Sequence, residues 1–165
     1  MPLTQWDPAR DEITGRVRSV VTQSDTAQTC GSGDVPVLST SRVLALVEAA
    51  SVSALTRRMP TRFTSLGGRV ELRHLAPAPL GARVTARAVL ERRTGNRLWF
   101  TVTVHDDNQR LLADGRLLRV VIDREEFLAE LRDTVPAGSP EPPTAEPSST
   151  EPPPVTIETV RIWSD

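Results

Sequence analysis

The sequence predicts an α+β domain in which one long helix is wrapped by a curved antiparallel sheet, with a proline-rich tail beyond it. Three observations carry this. Residues 40–55, TSRVLALVEAASVSAL, are apolar around most of a helical circumference, as in a helix enclosed by other structure. Four stretches with strand-like alternation follow it. Eight of the fourteen prolines then fall between Pro136 and Pro154.

The elements follow in chain order. Residues 13–22, ITGRVRSVVT, are rich in β-branched side chains and predict a first strand. A glycine-rich loop, CGSGDVP, comes next. Ser39 or Thr40 can cap the free N–H groups of a helix running to about Arg58, although no acid three residues on completes a capping box. Strands are predicted at 64–75, 82–93, 97–106 and 110–123. Turn residues at Thr94-Gly95-Asn96 and Asp106-Asp107-Asn108 join them into an antiparallel meander. A short helix, REEFLAELRD, covers 124–133. The folded domain therefore spans 1–135.

Residues 136–154 are rich in Pro, Glu and Ser, with too little apolar surface to offset ordering entropy, and predict an extended, disordered linker. Residues 155–165, VTIETVRIWSD, return to β-branched side chains. They form either a docking strand for a sheet edge or a frayed end.

Charge and cysteine content narrow the function. The chain carries 20 basic and 21 acidic residues, and every basic one is arginine. The arginines are scattered, without the clustered footprint of a nucleic-acid-binding surface. Cys30 is the single cysteine and forms no internal disulfide, which fits a reducing compartment. Neither a signal peptide nor an apolar run of bilayer length is present, so the expectation is a cytoplasmic protein without membrane attachment. No group of His, Cys and acids has metal-ligand spacing, and no metal is expected.

Three side chains suggest chemistry. By strand alternation Leu66, Gly68, Val70, Leu72 and His74 share the helix-facing side, with Gly67, Arg69, Glu71 and Arg73 on the other. His74 ends its strand because Pro77 and Pro79 cannot continue a ladder, which is where a pocket can open. Glu48 stands in the apolar helix on one stripe with Leu44 and Thr40. A buried carboxylate is costly unless paired or functional, so Glu48 is either a catalytic acid or base or the partner of one of the arginines. A carboxylate and an imidazole meeting from helix and strand suit attack on an acyl carbon. Thr40 adds a hydroxyl near helix N–H groups that favour negative charge on oxygen. Cys30 lacks the context of a cysteine hydrolase and is expected to be a free loop thiol; His105 is expected on the surface.

The stretches VPVLSTSRVLALVEAAS, TSLGGRVELRHLAPAPLGARVTARAVL and GNRLWFTVTVHDDNQRLLADGRLLRVVIDREEF resemble the hotdog-fold thioesterases of the fluoroacetyl-CoA type, over residues 13–135. The most specific parts are the helix glutamate and the His-x-x-Pro-x-Pro-x-Gly stretch. The resemblance implies a hotdog fold and a homodimer with active sites at the interface. It implies acyl thioester hydrolysis by Thr40, Glu48 and His74, with Gly67 near the substrate. Coenzyme A enters as part of the substrate and not as a retained cofactor. The segment QTCGSGDVPVLS has no aromatic residue where the fluoroacetate-selective member has lid phenylalanines, so a different or broader acyl group is expected.

Two other readings compete with hydrolysis. One is a non-catalytic acyl-CoA-binding scaffold that recruits a partner through its tail, but a pure binder has no use for the acid and the imidazole. The other is a hydratase, and the Asp-x-x-x-x-His signature of hotdog hydratases is absent.

Overall fold

Strand β1, Thr14–Val20, opens the fold and lies at one edge of the sheet. The computed structural model describes residues 11–134. Helix α1 spans Thr40–Leu55, and β2 (Phe63–His74), β3 (Arg83–Thr94), β4 (Arg97–Asp106) and β5 (Leu111–Asp123) complete a five-stranded sheet. Helix α2, Arg124–Thr134, follows β5 directly. The tail segments 136–154 and 155–165 lie outside the described residues.

The strand order is β1-β3-β4-β5-β2, antiparallel throughout. Only β3, β4 and β5 form the expected meander. β2 instead crosses to the far edge and pairs with β5. The reason lies in the connection between β2 and β3. Residues 75–82 carry Pro77 and Pro79, are too long for a tight hairpin, and pack Ala76 and Ala78 into the core. Leu38 N–H bonds to the Ala78 carbonyl there, so the segment is tied to the approach to α1.

The core lies between α1 and one face of the sheet. Val84, Ala86, Ala88 and Leu90 of β3 alternate inward, opposite Leu98, Phe100, Val102 and Val104 of β4. Each large side chain among these contributes about 1.5–3 kcal/mol on burial. Gly15 lets β1 approach α1 closely: a Cβ there would collide with the Ala50 carbonyl and Ala54. His105 falls on the outer parity, as expected.

Ser39 is the N-cap of α1, its hydroxyl accepting from Arg42 N–H at 3.2 Å. The helix ends at Leu55, where Thr56 N–H still bonds Val52 O and Arg57 takes a left-handed φ of 65°. Val43, Leu46, Val47, Ala50, Ala54 and Leu55 face the core. The opposite stripe is open: Ala45 and Ala49 are exposed, and Val52 is 47% exposed. Within one chain the sheet wraps one side of this helix and leaves the other open, because a single sheet does not close around a cylinder.

Strand β2 departs from its expected alternation. The register against β5 slips between Gly67 and Arg69, a β-bulge. Before it, Ser65 and Gly67 face the helix side; after it, Val70, Leu72 and His74 do. Leu66 and Gly68 therefore point outward, against expectation, and Gly67 points inward. One extra residue reverses parity along the strand, and alternation read from sequence has no means of registering it.

Candidate active site

Two clusters lie along one edge of α1, about two helical turns apart. At the N-terminal end, Thr40 Oγ1 and His74 Nδ1 are 3.0 Å apart in a hydrogen bond. Thr40 is at the helix start because Ser39 fixes the cap, and His74 is inward because it ends β2 on the buried parity. Burial lowers the His74 pKa from its ordinary 6.5, opposed by a hydrogen bond involving the Ala76 backbone. Burial thus favours the neutral ring. Its other nitrogen, Nε2, is buried with no hydrogen-bond partner among the described residues, a state that costs about 1–3 kcal/mol if nothing binds there.

The helix start supplies donors beside this pair. Ser39 N–H bonds Asp25 O, and Arg42 N–H bonds the Ser39 hydroxyl. Thr40 and Ser41 N–H groups have no acceptor among the described residues. With the positive end of the helix dipole, they favour an oxygen that gains negative charge.

Glu48 forms the second cluster, about 12 Å along the helix from Thr40. Its carboxylate lies over the Gly67–Arg119 register pair, where a Cβ on Gly67 would collide with Glu48 Oε1. Arg119 Nη1 is 4.0 Å from Glu48 Oε1. Arg119 is 5% exposed and is anchored by Nε to Ser65 Oγ (2.9 Å), Nη2 to Ser65 O (2.7 Å) and Nη1 to Ser51 Oγ (3.3 Å). Burial lowers its pKa, while the charge of Glu48 opposes that shift. Glu48 itself is not buried; its side chain is 42% exposed. The expected buried acid is instead a half-open carboxylate held beside a buried cation.

Thr40 thus meets His74, and Glu48 meets Gly67. Arg119 is the residue that sequence reasoning did not single out. Its signal was present, since Arg119 sits between Leu117 and Val121 on the buried parity of β5. Cys30 is an exposed loop thiol that accepts from the Ser39 hydroxyl at 3.3 Å. Among the described residues no group of three or more His, Cys, Asp or Glu is placed to hold a metal ion.

The family model for fluoroacetyl-CoA-specific thioesterases matches residues 21–125. This chain belongs to the fluoroacetyl-CoA-specific thioesterase family. Its fold is the hotdog fold of that family. It is similar to a Thermus thermophilus thioesterase superfamily member (27% identity, 78% of this chain and 95% of the other, TM-score 0.71). It is similar also to the fluoroacetyl-CoA thioesterase FlK (28% identity, 77% and 98%, TM-score 0.70). A hot-dog-like protein from Thermanaerovibrio acidaminovorans matches at 27% identity (76% and 92%, TM-score 0.68). None of the curated proteins matches the chain. The family and the fold support thioester hydrolysis in general terms. No helix among the described residues is long and apolar enough to cross a membrane.

Proposed function

We propose that this thioesterase-family chain hydrolyses acyl-CoA thioesters, with Glu48, His74 and Thr40 as its catalytic groups and Gly67 beside the substrate. The observation that carries this is the Thr40–His74 hydrogen bond on the same helix edge as Glu48. A threonine-to-serine mutant of FlK has been solved in complex with acetyl-CoA, which supports a coenzyme A thioester as the substrate class here.

The chemistry follows from the groups available. The Glu48 carboxylate attacks the thioester carbonyl carbon, directly or through a water it deprotonates. Negative charge builds on the carbonyl oxygen and calls for hydrogen-bond donors beside it. The C–S bond breaks and the thiolate takes a proton; where Glu48 itself attacked, water then hydrolyses the acyl–Glu48 anhydride, so either route leaves a carboxylic acid, a free thiol and the regenerated carboxylate. Thr40 fixes the His74 ring through Nδ1, so Nε2 remains to exchange protons with substrate or water. Arg119 holds the Glu48 carboxylate over Gly67. No retained cofactor is required.

The site is open on one side, which supports a homodimer. Val52 on α1 and Phe63 and Val70 on edge strand β2 are all exposed on the helix side of the sheet, as is the half-exposed Glu48. A second copy covering that side would exclude water from the carboxylate.

The test is thiol release from short, medium and aromatic acyl-CoAs by the purified full chain, with light scattering on the same sample. Turnover by a dimer is the expected result. Binding of acyl-CoA without thiol release would move the chain to the scaffold reading.

A further inference from the structure

The outer face of the sheet, opposite α1, carries arginines in excess of acids. Three have acidic partners: Arg69 with Glu71, Arg73 with Asp114, and Arg87 with Glu12. Arg16, Arg18, Arg83, Arg97 and Arg116 lie on the same face with no carboxylate partner among the described residues. A polar outer face is ordinary for an antiparallel sheet, but this one is also aromatic at its centre. Trp99 is half-buried, the Arg92 guanidinium stacks 5.3 Å from its ring centroid, and Leu118 is its cross-strand neighbour. Arg69, Glu71, Glu91, Arg92, Trp99 and Arg116 line an open concavity of about 430 Å³ there.

The sequence beyond Thr134 is complementary to that surface. Residues 139–165 hold five acids against one arginine. Three of those acids recur every five residues, each followed by proline: Glu141-Pro142, Glu146-Pro147 and Glu151-Pro152. Proline-rich segments pre-organise as polyproline II and dock on aromatic-lined grooves at low entropic cost. Five residues of such a helix advance about 15 Å, which matches the three strand spacings of about 4.8 Å that separate Arg69 from Arg92 across Leu118 and Trp99. Carboxylate–guanidinium pairs are among the stronger hydrogen-bonded contacts. Reach is sufficient: residues 135–151 extend up to about 50 Å. Helix α2 is about 16 Å long, and β3 lies two strands, about 10 Å, from β5.

We propose that the Glu-Pro segment 141–153 of this chain seats on the outer face of its own sheet, two successive glutamates on Arg69 and Arg92 at the ends of the row Arg69–Leu118–Trp99–Arg92 and the prolines between them against Trp99. The occupant is the chain's own tail because its charge, its proline spacing and its tether all match this face. The contact is electrostatic at its rim and is therefore screened by salt.

Full-length wild type and full-length E141Q/E146Q/E151Q are compared by amide and indole NMR. At low salt the Trp99 indole and the Arg69 and Arg92 amides should differ between the two proteins. The difference should vanish near 1 M salt, where the screening length is about 3 Å. It should not depend on protein concentration. The full-length Arg69→Gln/Arg92→Gln protein should lose the same Trp99 indole shift. Coincident low-salt spectra would overturn the proposal. So would differences confined to the β1 edge or to the groove beside Met59 and Phe63. A difference that grows with concentration would place the segment on a second copy and overturn the seat within one chain.

Discussion

The two ends of the site are built by different means. Thr40 and His74 come from regular structure: a capped helix start and the inward parity of a strand's last residue. Glu48, Gly67 and Arg119 come from an irregularity, a bulge that turns Gly67 inward opposite an arginine placed among core residues. The first end depends on a hydrogen bond between side chains. The second depends on space, because the carboxylate occupies the volume that any larger residue at position 67 would fill. A regular element can lose a methyl group and persist, whereas a close approach loses its purpose with one added carbon.

Two adjacent glycines separate the close approach from the regular strand most strongly. Gly67→Ala should lower turnover by about 10², since displacing a catalytic group by about 1 Å costs that much. Gly68→Ala should leave turnover within a few-fold, because its Cβ points outward and meets Val120 Cγ2 at 3.2 Å. Steady-state kinetics of the pair tests the bulge assignment, and equal losses would contradict it. Arg119→Met removes the donors to Ser65 and Ser51 and should cost about 2 kcal/mol in urea unfolding, with a fall in kcat. The figure stays below that of a fully buried ion pair because Glu48 is half open. Thr40→Val should reduce kcat about tenfold by deleting one hydrogen bond to the imidazole, with stability nearly unchanged.

The mildest probe is pH. Burial depresses the His74 pKa, so the acid limb of kcat/KM should lie below 6.5, with activity lost as protonation removes the neutral ring. Stability carries the same sign. Between 6.5 and the lower folded value the unfolded chain binds more protons, so this contribution is complete above 6.5 and declines as pH falls through that window. A pH–rate profile whose acid limb sits above 6.5 would contradict the desolvated ring.

Much of the fold was legible because hydrophobic period follows burial. The helix, all five strands and α2 stand within a few residues of their sequence-derived bounds. Thr40, Glu48 and His74 were visible as polar groups on apolar faces. The bulge was not, since an extra residue in a strand leaves no mark in composition beyond the pair Gly67-Gly68. The crossing of β2 to the β5 edge was missed for a related reason: consecutive strands suggest neighbours, and only packing of Ala76 and Ala78 decides otherwise. Arg119 was readable from its parity in β5 but was lost among twenty scattered arginines.

The most direct measurement is thiol release by wild type and Glu48→Gln side by side, on the acyl-CoA that wild type prefers, with affinity for that thioester measured for both. Glu48→Gln keeps the shape and removes the base, so turnover should fall by about 10²–10⁴ while binding and unfolding midpoint stay near wild type. Turnover within a few-fold of wild type would contradict the account and leave Glu48 as no more than the partner of Arg119.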